Sequence, residues 1–129
     1  MSNERPVVAV VDDDPRLLES LENLLESAGY APRSFSSAQS LLTSGLSGLD
    51  VLITDIGMPG MDGLELCERV KKVRTDLPVF LITGRHEIAD ADQVEGVSGC
   101  FRKPFDAKVL LAAIGKAVHK SKNGGEHEN

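Results

Sequence analysis

Nothing in this chain is strongly basic, long and apolar, or repeated, and each of these absences closes off a class of function. Fourteen Lys and Arg face twenty Asp and Glu, a net charge of −6 over 129 residues. A surface that grips nucleic acid regardless of sequence needs a basic patch, so no direct nucleic-acid contact is expected. No apolar run approaches the roughly 20 residues of a membrane span, and Met1-Ser2-Asn3-Glu4 lacks the shape of a signal peptide. The expectation is a cytoplasmic protein with no membrane contact. There are only two cysteines, Cys67 and Cys100, and they form no CxxC motif. They suit a reducing compartment as packed thiols. His86, His119 and His127 are scattered without metal-ligand spacing and read as surface histidines.

What is present is an ordinary globular balance, 41% hydrophobic and 26% charged, in a length that suits one core. Strand-like and helix-like segments alternate along it. Val7 to Val11 is a continuous apolar run, β-branched except at Ala9, the pattern of a strand buried on both faces. Asp14-Pro15 then offers an N-cap and a first-turn proline. Leu17, Leu18, Leu21, Leu24, Leu25 and Ala28 share a helical face, and Gly29 ends that helix. A weak strand at Ala31 to Phe35 leads to a short helix capped at Ser36, with Ala38, Leu41 and Leu42 inward. Val51 to Thr54 is the third strand. The helix Leu64 to Val73 places Leu66, Val70 and Val73 on one face. Val79 to Ile82 follows, then a poor helix at Ile88 to Val97 and a short strand at Cys100 to Arg102. The last helix, Ala107 to about His119, carries Val109, Leu110, Ala113, Ile114 and Ala117. Ser121 to Asn129 is polar and reads as a frayed tail. Such alternation implies a parallel sheet covered by helices on both faces, because parallel strands need crossover connections.

Four polar signatures follow four of these strands. They are Asp12-Asp13, Asp55, Thr83 and Lys103-Pro104. In one parallel sheet all four emerge at the same edge, where open α/β sheets place their ligands. Adjacent carboxylates at a strand end repel each other, and Asp55 adds to the repulsion. A hard divalent ion such as Mg²⁺ relieves it through oxygen ligands, and Lys103 relieves it without a metal. Asp14, just before Pro15, is better explained as the helix cap. The loop Ile56-Gly57-Met58-Pro59-Gly60-Met61-Asp62-Gly63 puts little bulk beside Asp55. A carboxylate so exposed beside a metal can attack phosphorus and form an acyl phosphate.

Taken together, Val11-Asp12-Asp13-Asp14, the segment Asp55 to Gly63, Thr83-Gly84 and Lys103-Pro104-Phe105 resemble the receiver domain of bacterial two-component response regulators. The resemblance covers residues 6–120. It implies a flavodoxin-like three-layer sandwich, with a five-stranded parallel sheet of order 2-1-3-4-5 and five helices, the fourth short. It implies that Asp55 is the phosphoacceptor, taking a phosphoryl group from a sensor histidine kinase or phosphotransfer protein. Mg²⁺, with Mn²⁺ as an alternative, would be held by Asp12, Asp13, Asp55 and the Gly57 carbonyl. Thr83 would be the switch hydroxyl and Lys103 the phosphoryl partner, its bond to Pro104 being cis. Such a domain is a signalling switch rather than an enzyme with its own substrate turnover. Its output face is the last two strand–helix units, which meet a downstream protein or a second copy.

Three features depart from the receiver pattern. The family usually has an aromatic three residues before the lysine; here that residue is Cys100, with Phe101 one place later and facing the other way. The stretch from Thr83 to Lys103 is short, at the expense of the fourth helix. Gly57 and Arg85, two places past Asp55 and Thr83, occupy positions that modulate hydrolysis in the family. A phosphatase of the haloacid-dehalogenase type is the enzymatic rival. It wants Asp-x-Asp-x-Thr/Val with its nucleophile at Asp12, and Arg16 stands at the last position of that motif. A receiver-like module that is never phosphorylated is the second rival. A stand-alone receiver and a piece of a larger regulator, with residues 121–129 as its tail, are both open.

Overall fold

In a computed structural model of the protein, residues 5–84 and 96–127 are described. The elements are β1 (Val7–Val11), α1 (Pro15–Ser27), β2 (Ala31–Phe35), α2 (Ala38–Ser44), β3 (Val51–Asp55), α3 (Gly63–Val73), β4 (Val79–Thr83), β5 (Gly99–Arg102) and α4 (Ala107–His127). The strands are all parallel, in the order β2-β1-β3-β4-β5. This is the expected flavodoxin-like sandwich. Four helices lie among the described residues. Except for the non-helical Gly96 and Val97, the short helix expected at Ile88–Val97 falls outside them, as do Arg85 and His86.

Alternation along each buried strand builds two cores. Val8, Val10, Val51, Ile53, Phe80 and Ile82 point to one face and meet Leu21 and Leu25 of α1 and Leu110 and Ile114 of α4. Ala9, Val11, Leu52, Val79 and Leu81 point to the other and meet Ala38 and Leu41 of α2 and Leu66, Cys67 and Val70 of α3. Each fully buried Leu or Ile contributes about 1.5–3 kcal/mol, so both layers are firmly attached. The weak strand is weak for a reason: β2 is an edge strand, and Pro32 removes one of its donors.

Local signals set the helix starts. Asp14 caps α1 by accepting from the Arg16 N–H at 3.0 Å, with Pro15 in the first turn. Asp62 caps α3 through the Glu65 N–H at 2.9 Å. The cap of α2 is Ser37 and not Ser36; its hydroxyl accepts from the Ser40 N–H.

Several faces differ from expectation. Val73 is 71% exposed and Val109 55% exposed, while Cys67 takes an inward place on α3. Val73 is the last residue of α3, where the chain leaves the helix, and Val109 lies one step round the helix from the stripe set by Leu110 and Ile114. Ala28 is the C-cap of α1 and is exposed. The polar stretch read as a tail continues α4 to His127. Once the turns at Leu110 and Ile114 are packed, each further residue adds a helical bond without a new nucleus.

These faces separate two substitutions on one helix. Leu66→Ala should lower the free energy of unfolding in urea by about 2–5 kcal/mol. Val73→Ala should stay within about 0.5 kcal/mol of the parent. Equal losses at both positions would place Val73 in the core.

Candidate functional site

The C-terminal ends of β1, β3, β4 and β5 deliver Asp12, Asp55, Thr83 and Lys103 to one edge of the sheet. Asp12 follows β1, with its N–H donating to the Phe35 carbonyl at 3.1 Å. Asp55 closes β3 and Thr83 closes β4. The Lys103 N–H donates to the Thr83 carbonyl at 2.9 Å, which carries the pairing of β4 and β5 one residue further. The Lys103–Pro104 peptide is cis. Because β2 lies on one side of β1 and β3 on the other, the strand order reverses between β1 and β3, and the site lies at that switch point.

Asp12 is 1% exposed, Asp55 5% and Thr83 fully buried, whereas Asp13 is exposed. Carboxylate oxygens of Asp12, Asp13 and Asp55 lie within 4.8 Å of one another. The Lys103 ammonium sits between two of them, 3.3 Å from Asp12 Oδ2 and 3.2 Å from Asp55 Oδ1. Asp12 Oδ1 also accepts from the Asp14 N–H at 2.8 Å. Thr83 Oγ1 donates to the Gly84 carbonyl at 2.8 Å. Gly57 is exposed in the loop after β3. Cys100 packs on the core of the α2–α3 face, and Phe101 packs on the opposite core against Phe80, with ring centroids 6.0 Å apart.

Burial pushes the Asp12 carboxyl above the usual carboxylate range, although the Asp14 N–H and Lys103 draw it back. Burial also raises Asp55, and the neighbouring Asp12 charge adds to the effect against the pull of Lys103. Burial alone would lower Lys103, but the charges of Asp12 and Asp55 outweigh it and hold the ammonium above its ordinary range. The site therefore stores charge repulsion that an added cation would relieve. Three carboxylates with exposed backbone nearby make an all-oxygen donor set, the kind that hard divalent ions take.

Two contributors were not singled out from the sequence. Thr54 is fully buried within β3, and its hydroxyl donates to the Asp55 carbonyl at 3.0 Å. Gly63 opens α3 directly against that carbonyl, where a Cβ would lie 2.2 Å from the Asp55 oxygen and 2.8 Å from Ile56 Cα. A hydroxyl directly after the apolar run Val51 to Ile53 was the available signal for the first. The second depends on a contact between elements and leaves none.

The chain matches the family model described as the response regulator receiver domain over residues 8–115. It is 38% identical over 122 residues to the C4-dicarboxylate transport transcriptional regulatory protein DctD of Rhizobium meliloti, covering 89% of this chain and 26% of that one. It is 33% identical over 125 residues to the transcriptional regulatory protein FixJ of Bradyrhizobium diazoefficiens, covering 94% of this chain and 60% of FixJ. The chain thus spans less than two thirds of the length of either regulator. Among solved structures, a response regulator receiver domain protein from Clostridium thermocellum superposes with a TM-score of 0.84 at 29% identity, covering 91% of this chain and 97% of that one. Full-length FixJ from B. japonicum gives 0.83 at 32% identity, covering 95% and 62% respectively.

The raised carboxyls yield a stability prediction. A carboxyl whose folded value lies above its unfolded value of about 3.9 disfavours folding at neutral pH, and this penalty fades as pH falls through the folded value. Without divalent cations, Asp55→Asn should therefore melt higher than the parent at pH 7. The gap should close as the pH falls toward 4. Scanning calorimetry across that range checks it, and a variant that melts lower at pH 7 contradicts the stored repulsion.

Proposed function

The chain belongs to the response regulator receiver family, and from that premise we propose that Asp55 is its phosphoacceptor. The observation that supports this most directly is the Lys103 ammonium, held 3.2 Å from Asp55 and 3.3 Å from Asp12 at the sheet edge. Receivers are signalling domains of two-component systems rather than enzymes acting on a separate metabolite. The switch unit in this reading is residues 6–120. The donor is a phosphohistidine on a sensor kinase or phosphotransfer protein, in the cytoplasm, where Cys67 and Cys100 stay thiols.

Receiver domains generally bind Mg²⁺ at an acidic pocket, and the donor set here fits it: the side chains of Asp12, Asp13 and Asp55 with the Gly57 carbonyl. When bound, Mg²⁺ or Mn²⁺ neutralises charge on the phosphoryl oxygens. The remaining work falls to the chain's own groups. A carboxylate oxygen of Asp55 attacks phosphorus in line. The P–O bond forms as the P–N bond breaks, and the departing imidazole nitrogen keeps the electron pair and takes a proton from solvent. Lys103, already beside Asp55 Oδ1, meets the developing phosphoryl charge without travelling.

The product carries more charge and new acceptor oxygens. Thr83 Oγ1, which donates to the Gly84 carbonyl in this structure, would transfer that donation to a phosphoryl oxygen. The exchange would release the Gly84 carbonyl and bias the face formed by the last two strand–helix units, through which a downstream protein or a second copy would be engaged. Gly57, Arg85 and Cys100 are the proposed modulators of lifetime and coupling. Gly57 supplies no side chain to orient an attacking water.

The rival phosphatase reading needs Asp12 as the nucleophile. Asp12 is the more buried of the two carboxylates, and both its oxygens are engaged, by the Asp14 N–H and Lys103.

With acetyl phosphate and Mg²⁺, the parent chain should gain one acid-stable, base-labile phosphate by intact-mass spectrometry. Asp55→Asn and excess EDTA should each abolish it. Thr83→Ala should keep the label but lose the phosphorylation-dependent change in amide exchange after β4. Full labelling of Asp55→Asn would sink the assignment, and a label on Asp12 would favour the phosphatase.

A further inference from the structure

We propose that Thr54 is a positioning residue for Asp55, acting through the peptide that joins Asp55 to Ile56; the inference rests on the reading of Asp55 as phosphoacceptor. Thr54 occupies a fully buried place in a strand whose other inward residues are Val51, Leu52 and Ile53. Valine would fill the same volume without bringing a hydroxyl into an apolar layer, so the hydroxyl needs a reason. Its partner is the Asp55 carbonyl oxygen, at 3.0 Å.

That bond completes a clamp on one peptide plane. The carbonyl edge of the 55–56 peptide accepts from Thr54 Oγ1, and its N–H edge donates to the Ile82 carbonyl at 2.9 Å. The third neighbour is Gly63, whose lack of a Cβ lets that carbonyl lie against the start of α3, since a Cβ there would come within 2.2 Å of its oxygen. One residue on, the Ile56 carbonyl accepts from both the Met58 N–H, at 3.0 Å, and the Gly63 N–H, at 2.9 Å. The backbone is thus held on both sides of the bond that sets where the Asp55 carboxylate leaves the strand. Its side chain starts from a fixed Cα, at a fixed angle to Lys103.

In-line attack rewards such fixity, because a misplacement of about 1 Å can cost on the order of a hundredfold in rate. The hydroxyl touches neither the donor nor the reacting atoms. Its loss should therefore lower the saturating rate of phosphorylation and leave the binding of donor and metal as they were.

The test compares Thr54→Val with Thr54→Ser in the full chain, using acetyl phosphate with Mg²⁺. Thr54→Val is expected to slow the saturating labelling rate about tenfold, with the donor KM and the Mg²⁺ dissociation constant unchanged within about twofold. Its melting temperature should stay within a few degrees of the parent. Thr54→Ser should recover the rate to within about threefold. Should Thr54→Val not fold, Thr54→Ala against Thr54→Ser makes the same comparison. A parent that labels at Asp55 beside a Thr54→Val that labels equally fast overturns this inference alone. Equal losses in Thr54→Val and Thr54→Ser overturn it as well, since the hydroxyl would then not matter. A parent that takes no label on Asp55 overturns the phosphoacceptor reading and this inference together.

Discussion

Two buried carboxylates facing each other at a sheet edge are the constraint on which the rest of the molecule depends. Asp12 and Asp55 are almost entirely removed from water, and Asp13 brings a third charge within 4.8 Å. Burying ionised groups is unfavourable, and burying like charges together is worse. Lys103 offsets part of this from a partly exposed position, bridging the two at salt-bridge distance. It does not cancel it, as the raised carboxyls show. The edge is left short of positive charge, and that deficit is the site's chemical potential. A cation bound among these carboxylates would relieve that deficit, and in the proposed reading it would also offset the charge of an incoming phosphoryl group.

Such an edge survives because two cores hold it. β1, β3 and β4 are buried on both faces, and their alternating side chains anchor α1 and α4 on one side and α2 and α3 on the other. With all strands parallel, their C-terminal ends converge on one line, so residues from four distant stretches meet without a specialised domain. The approach of α3 is close because its first residue is Gly63. Any side chain there would drive the Asp55 carbonyl from its place. The local sequence thus serves the electrostatics: a helix start without a Cβ lets the loop from Ile56 to Asp62 stay tight beside the carboxylate.

Much of this architecture is legible in the order of residues, for physical reasons. Strands buried on both faces are continuous apolar runs, as in β1, and even the weaker edge strand β2 matches its expected ends residue for residue. Asp14 caps α1 as its place before Pro15 suggests. Parallel pairing then brings Asp12, Asp55, Thr83 and Lys103 to one edge. What escaped depends on how far each layer extends. A 3.6-residue period puts Val73 with Leu66 and Val70, but Val73 is the last residue of α3 and is exposed while Val70 is fully buried. Ser36 and Ser37 are chemically equal as caps, and only the entry angle of the chain chooses Ser37. The polar residues after His119 carry no apolar stripe, yet the helix runs on to His127 because its earlier turns are docked. The role of Thr54 was hidden in an apolar run that reads as strand with or without its hydroxyl.

The division of faces at β5 bears on how a signal would leave the site. Cys100 and Phe101 point to opposite cores, and Phe101 lies against Phe80 in the layer closed by α4. Phe80 fits there because its register partner is Gly99, where a Cβ would come within 3.0 Å of the ring. The ring of Phe101 is therefore part of a packed stack on the wrong face to follow Thr83. The residue on the right face, Cys100, has a small side chain whose rotation displaces little volume. A two-state equilibrium moves only as far as the differential contacts of its ligand allow. With no ring at position 100, the described groups at the edge that the proposed switch would draw on are the Thr83 hydroxyl, which donates to the Gly84 carbonyl, and the Lys103 ammonium, which bridges Asp12 and Asp55. In the proposed switch, the 2.9 Å hydrogen bond from the Lys103 N–H to the Thr83 carbonyl would couple these two groups directly, because it ties β4 to β5 at the site itself.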